Sequence, residues 1–368
     1  MGRRNVPDLR VPLKKPVPDA NAFLDAVMGR AAPDRPPLVE YIVDEVVMRP
    51  VLELAGQAWV PLRQDDLAGQ KTYWDNFIAF WYRCGYDFVR LELAMPFPAE
   101  GRVGVDPAEQ AGGQMRHWLE TDSGPIGNWD DFERYPWPEP DDVDLFPLEY
   151  ICERMPDGMG LISCHGAGIL EHVTRLLGYV GLCTALYDAP DLVRAVVDRV
   201  GGLIEGYHRR LLRLDRLVAI FQGDDMGFRT GTLISPDHMR QYFLPWHKRF
   251  AQVAHGAGRP YFLHACGNLE AIMDDLIDDV GIDAKHSFED AIVPVAEMKR
   301  RYGGRIGILG GVDVDVLGRA TPDQVRSTVR EVIDACAPGG RYATGSGNSI
   351  PSYIPVENFL TMLDEALT

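Results

Sequence analysis

Cysteine is sparse in this chain. The six that occur, Cys84, Cys152, Cys164, Cys183, Cys266 and Cys336, are scattered through 368 residues and form no CxxC pair. That fits reduced thiols in a cytoplasmic protein better than a disulfide framework. Positive charge is also short: 37 Lys and Arg stand against 54 Asp and Glu, a net charge of -17. So acidic a surface argues against nucleic acid and anionic membranes as partners. No apolar run approaches the ~20 residues of a membrane span. Residues 1–20 carry basic groups without an apolar core, so no secretory signal is expected there. There is no GxGxxG, no Walker motif and no repeat of solenoid period. Without a phosphate-binding glycine loop, an open doubly wound sheet is disfavoured.

What is present is a large globular composition, 46% hydrophobic and 25% charged, enough for a sizeable core. Eight short apolar segments read as strands: residues 38–43, 86–93, 160–166, 217–221, 261–263, 281–286, 306–311 and 342–344. Most are followed by helical patterns, at 73–84, 149–154, 169–187, 189–212, 269–279, 293–302 and 356–367. Ser235-Pro236-Asp237 opens another helix, which Pro245 should kink. Thr321-Pro322-Asp323-Gln324 is a capping box with proline at the first helical position. This alternation predicts an α/β fold, a (β/α)8 TIM barrel spanning residues 1–368 as one domain. Residues 1–20 would form an N-terminal arm. Residues 95–140, rich in Gly, Pro and Trp, would form a rim or lid inserted after the second strand.

In such a barrel the site lies at the C-terminal strand ends. Those tips carry Glu40 and Asp44; Glu92; His165; Gln222, Asp224 and Asp225; His264 and Cys266; His286 and Glu289; Asp313; and Ser346 and Asn348. In an extended strand residues two apart face the same way, so His264 and Cys266 point together and can grip one soft metal ion. A buried thiol beside a hydrogen-bonded histidine is the alternative reading. Of Asp224 and Asp225 only one can enter the mouth; there it could act as a base, a metal ligand or a clamp for a cationic substrate. The other role open to this pair is capping of a turn. Asp225, His165 and Glu289 are the candidate acid–base residues. Glu40, Glu92, Gln222, Asp224, His286, Ser346 and Asn348 are candidates for holding a small-molecule substrate. Asp313 is expected to cap the segment after the Gly310-Gly311 turn.

The pieces Gln222-Gly223-Asp224-Asp225, Phe262-Leu263-His264-Ala265-Cys266-Gly267-Asn268, Gly281-Ile282-Asp283, Ile308-Leu309-Gly310-Gly311-Val312-Asp313 and Ser349-Ile350-Pro351 resemble the uroporphyrinogen decarboxylase superfamily. That superfamily holds decarboxylases and zinc-dependent methyltransferases that use a methyl group carried by a corrinoid protein. The decarboxylases proper have an arginine-rich motif after the first strand, where this chain reads Glu40-Tyr41-Ile42-Val43-Asp44-Glu45. The resemblance therefore implies the methyltransferase branch, with zinc on His264 and Cys266, a corrinoid protein as partner and a homodimer. That branch uses a later cysteine as a further ligand. Here Ser346 falls at that place, and Asp225 or Glu289 is expected to substitute. A cofactor-free decarboxylase or lyase and a non-catalytic binding barrel are the competing readings.

Overall fold

We describe the chain from a computed structural model, over residues 9–63, 65–98, 101–105, 115–119 and 123–368. Seven parallel strands form one sheet in chain order: β1 Phe88–Leu93, β2 Gly160–His165, β3 Leu217–Gly223, β4 Tyr261–His264, β5 Ala284–His286, β6 Gly307–Leu309 and β7 Tyr342–Ala343. The side chains of β2, β4, β5 and β6 are buried throughout. That is the pattern of parallel strands covered on both faces. Side chains from β1, β3, β4 and β5 meet in the interior: Tyr41 alone touches Glu92, Phe221, His264 and His286. The sheet must curl for residues of non-adjacent strands to meet in this way.

The expected first strand is reduced. Residues 38–43 join the sheet only by isolated parallel bridges, Leu38 to Thr344 and Val43 to Ile350, beside β7. Among the described residues no backbone ladder links this segment to β1. Its burial is uneven: Glu40 and Tyr41 are both buried, as in the strands covered on both faces, while Ile42 is 38% exposed.

The helices follow the sequence pattern in the main, with departures. Glu45–Leu54, capped by the Asp44 carboxylate, is a helix the periodicity does not announce, because Pro50 interrupts its pattern. The single helix expected over 169–187 is two, Ile169–Leu177 and Tyr179–Asp188, broken at Gly178 with φ +75°. The helix expected over 269–279 is a 3-10 turn, Glu270–Ile272, then a wide turn, Asp275–Val280. Pro245 acts as foreseen: a π-helical turn, Met239–Phe243, precedes the helix Leu244–Gly256. The Thr321 capping box and the Asp313 cap both form. The insertion is not all irregular, since Gly101–Val105 and Met115–Leu119 pair as antiparallel strands.

Residues 1–8 of the expected arm lie outside the described residues. From residue 9 onward the arm is fixed to the body: the Leu13 amide donates to the Arg83 carbonyl (2.7 Å), the Arg10 amide donates to the Asp364 carboxylate (2.8 Å), and Val11 is buried. No helix among the described residues is long and apolar enough to cross a membrane.

The tip after β7, Gly345-Ser346-Gly347-Asn348, is pressed onto the neighbouring backbone. A Cβ on Gly345 would lie 1.7 Å from the Val39 carbonyl oxygen, and one on Gly347 would lie 2.3 Å from that of Phe288. Gly345→Ala is therefore expected to destabilise the fold by roughly 3 kcal/mol, read as a lower urea midpoint. An unchanged midpoint would show that residues 37–39 do not press on this tip.

Candidate metal centre

His264 ends β4, and Cys266 lies two residues further on. Their side chains point together as strand alternation requires, with Sγ 3.5 Å from His264 Nε2. Asp225, just beyond β3, brings a carboxylate alongside. One ligating atom from each of Asp225, His264 and Cys266 lies within 4.8 Å of the other two. Asp225 Oδ1 is 3.9 Å from His264 Nε2 and accepts the Cys266 amide at 3.1 Å.

The protons on this group follow from its partners. The Ser346 carbonyl can only accept, so His286 Nε2, 3.1 Å away, carries a hydrogen and donates to it. Burial pushes the His286 pKa down to about 3, so the ring is neutral and its Nδ1 is bare. His264 Nδ1, 2.8 Å from that nitrogen, must then be the donor. His264 is itself held well below its ordinary value by burial. Its Nε2 is therefore a lone pair facing Cys266 and Asp225. Metal-binding histidines characteristically donate their second nitrogen in this way.

Three acceptor groups thus face one another with a single thiol proton among them. Zinc bonds of ~2.0 Å to nitrogen and ~2.3 Å to sulfur at a tetrahedral angle span about 3.5 Å. That is the separation of His264 Nε2 and Cys266 Sγ. The sulfur also receives the Asn348 amide at 3.4 Å and the Ser287 hydroxyl at 3.7 Å. Burial and the Asp225 charge push the free thiol up to about 12, so a cation is needed to keep it ionised. The donor set and spacing fit zinc.

The other tip residues divide. Asp224 is fully buried and faces away from Asp225: its carboxylate accepts from the Leu170 and Glu171 amides at 3.1 Å each and from His247 Nε2 at 2.9 Å. It caps the helix Ile169–Leu177 across the chain. Gln222 is buried too, donating to the carbonyls of His165, Ala167 and Gly223 and accepting from His208 Nε2. His165 accepts the Met95 amide at Nε2 (2.9 Å) and donates from Nδ1 to the Ala167 carbonyl (3.1 Å); burial pushes it down to about 4. Its ring ties the start of the insertion to the tip of β2. Glu92 is partly exposed and accepts from Arg90 (2.8 Å) and Tyr41 (3.1 Å). Glu289 is exposed and outside the three-residue group. It lines a cavity of about 480 Å3 with Asp313, Asn348 and Tyr353.

Ser346 is not turned toward the sulfur. It is fully buried, its amide donates to Glu40 Oε1 (2.8 Å), and its hydroxyl lies 2.6 Å from Glu40 Oε2 and against the Asn348 carbonyl. One hydroxyl proton cannot serve both oxygens. Burial pushes the Glu40 pKa up to about 8; protonated Glu40 donates to Ser346 Oγ, which donates onward to Asn348. Sequence reasoning passed over Tyr41, Ser287 and Lys285. Lys285 is buried, gives hydrogen bonds to the Ser287 and Ala265 carbonyls (2.8 and 3.3 Å), and is pushed down to about 8 by burial. Its signal was its place one residue before His286, on the opposite face of β5.

The sequence profile described as uroporphyrinogen decarboxylase matches residues 123–367. The chain belongs to the uroporphyrinogen decarboxylase family. The uroporphyrinogen decarboxylase of Alkalilimnicola ehrlichii is 25% identical over 268 residues, 65% of this chain and 66% of that one. That of Cupriavidus necator is 33% identical over 100 residues, 26% of this chain and 25% of that enzyme. The chain thus spans a quarter to about two thirds of these family members. A methyltransferase from Methanosarcina mazei shares the fold, with a TM-score of 0.69 at 17% identity over 95% of this chain and 98% of that one.

Glu40 generates a pH prediction. Its folded pKa, about 8, lies above its ordinary 4.5. Its contribution to stability is full below the ordinary value and is lost as pH rises through the folded one. Glu40→Gln keeps a donor and an acceptor but not the titration. In urea titrations the variant should lose stability less steeply than the wild type between pH 5 and 8, with a gap on the order of 2 kcal/mol by pH 7. Parallel curves would show that Glu40 is ionised in the fold.

Proposed function

We propose that this family member is a zinc-dependent methyltransferase that passes a methyl group from a methyl-corrinoid carried by a partner protein to a small thiol. The reading rests on one observation: the Asp225, His264 and Cys266 group, with the His264 lone pair directed into it. The curled sheet with residues 38–43 at its edge would then form the eight-part barrel whose mouth receives both partners. His264 and Cys266 would hold the ion, and Asp225 would take the place of the missing later cysteine. Bound zinc supplies one thing, a lowered pKa for an incoming thiol, so that a thiolate nucleophile persists at neutral pH.

The chain's own groups do the rest. Asn348 and Ser287 donate to the Cys266 sulfur and favour its anionic form. Asp225 is 49% exposed at its side chain, so the mouth is open to water there and the acceptor's proton can leave to solvent. Glu40 and Ser346 hold the tip that carries Asn348. A decarboxylase of a many-carboxylate porphyrinogen is disfavoured, because Arg90, the one arginine buried among the described residues, is already paired to Glu92.

Elemental analysis of protein purified without chelator or affinity nickel tests this. About one zinc per chain is expected, with methylcobalamin consumed when a small thiol is added. His264→Ala and Cys266→Ala should lose the metal, Asp225→Ala should lower its affinity about tenfold or more, and Ser346→Ala should retain it. No zinc after incubation with the metal would overturn the reading. So would retention in Cys266→Ala.

A further inference from the structure

The hydrogen bond from His264 to His286 settles which nitrogen carries the proton. It restrains the ring plane only loosely, because a hydrogen bond tolerates angular deviations of roughly 30° and the side-chain torsions can librate within that range. A lone pair that rocks spreads over the space where a ligand atom must sit, and affinity falls.

We propose that Tyr41 is a positioning residue that fixes the plane of the His264 ring and so aims Nε2 at the metal. The two rings are stacked, with centroids 4.0 Å apart and planes 10° from parallel. The phenol comes from residues 38–43, which lie beyond β7 in the sheet, whereas His264 is on β4. The contact therefore crosses the barrel interior and owes nothing to strand pairing.

Tyr41 is itself held on every side. Its hydroxyl donates to Glu92 at 3.1 Å, and Phe221 meets its ring edge-on at 5.0 Å. The Arg90 guanidinium lies 4.2 Å from its centroid. A ring of this size has room for one such neighbour on each face, so the phenol is sandwiched between Arg90 and His264. Arg90 is pinned in turn by Glu92 (2.8 Å) and the Phe221 carbonyl (3.2 Å).

Gly223 provides a second, independent sign that the phenol must sit where it does. A Cβ there would lie 2.2 Å from the Tyr41 hydroxyl and 3.1 Å from the ring carbon that bears it. The φ of Gly223 is not in the left-handed region, so the missing side chain is a matter of space for this phenol and not of backbone conformation.

The inference rests on the metal reading above, and its test separates the two. Cobalt(II) chloride, titrated into metal-free full-length protein, gives an affinity and a ligand-field spectrum. Tyr41→Phe, which keeps the stack, should match the wild type. Tyr41→Leu should bind cobalt about tenfold more weakly and shift the visible bands. Gly223→Ala should imitate Tyr41→Leu, and Tyr41→Phe in the Gly223→Ala background should recover part of the loss, since it removes the closest clash. Tyr41→Leu with wild-type affinity and bands, while His264→Ala binds nothing, would overturn the positioning role and leave the metal reading standing. If the wild type binds no cobalt, the metal reading fails. The ring is then judged by nitrogen NMR of the metal-free protein. A single sharp His264 tautomer in the wild type that broadens in Tyr41→Leu supports the stack, and unchanged signals overturn it.

Discussion

A neutral imidazole carries one proton, and the architecture of the strand tips depends on that limit. The Ser346 carbonyl accepts the hydrogen bond of His286 Nε2, His286 Nδ1 accepts that of His264 Nδ1, and His264 Nε2 is left bare. Burial keeps both rings neutral. The order cannot be reversed, because the row ends on an oxygen that has no proton to give. The register of β4 against β5, which sets His264 opposite His286, is thus a chemical arrangement as well as a structural one.

The carbonyl that ends the row belongs to Ser346, which falls where the methyltransferase branch places its later cysteine. Ser346 contributes through its backbone, and its hydroxyl is committed to Glu40 and the Asn348 carbonyl. A cysteine there would lose the strong hydroxyl bond and leave a buried carboxyl short of a partner. The serine and Glu40 are therefore one unit. They hold the glycine-flanked tip against the backbone, and that tip delivers the Asn348 amide to the Cys266 sulfur.

Much of this was legible in the sequence. Residues 86–93 through 342–344 all appear as strands of one parallel sheet, and reading their tips found His264, Cys266, His286, Ser346 and Asn348, which do meet. Alternation foresaw that only one of Asp224 and Asp225 enters the mouth. It could not foresee that Asp224 caps a helix more than fifty residues earlier in the chain, because that contact depends on how the helix Ile169–Leu177 lies on the sheet. Nor does spacing tell Asp225 from Glu289 as the carboxylate that lies beside His264 and Cys266. The distinction comes from the turn after β3, where the Cys266 amide fixes the Asp225 oxygen. Tyr41 was hidden for another reason: it packs on His264, which belongs to a strand its own segment does not pair with, and no periodic pattern predicts such a contact.

Residues 38–43 link fold to chemistry in another way. Strands of this sheet are covered on both faces, so neighbouring residues can both be buried while facing opposite ways. Glu40 and Tyr41 are such a pair. Glu40 receives the Ser346 amide and lies against its hydroxyl at the β7 tip, and Tyr41, one residue on, stacks on the His264 ring. The segment meets the sheet only through two isolated bridges, and its buried Leu38, Val39 and Val43 side chains hold it there. One short stretch of chain thus packs against both the tip that carries Asn348 and the ring that carries the bare nitrogen.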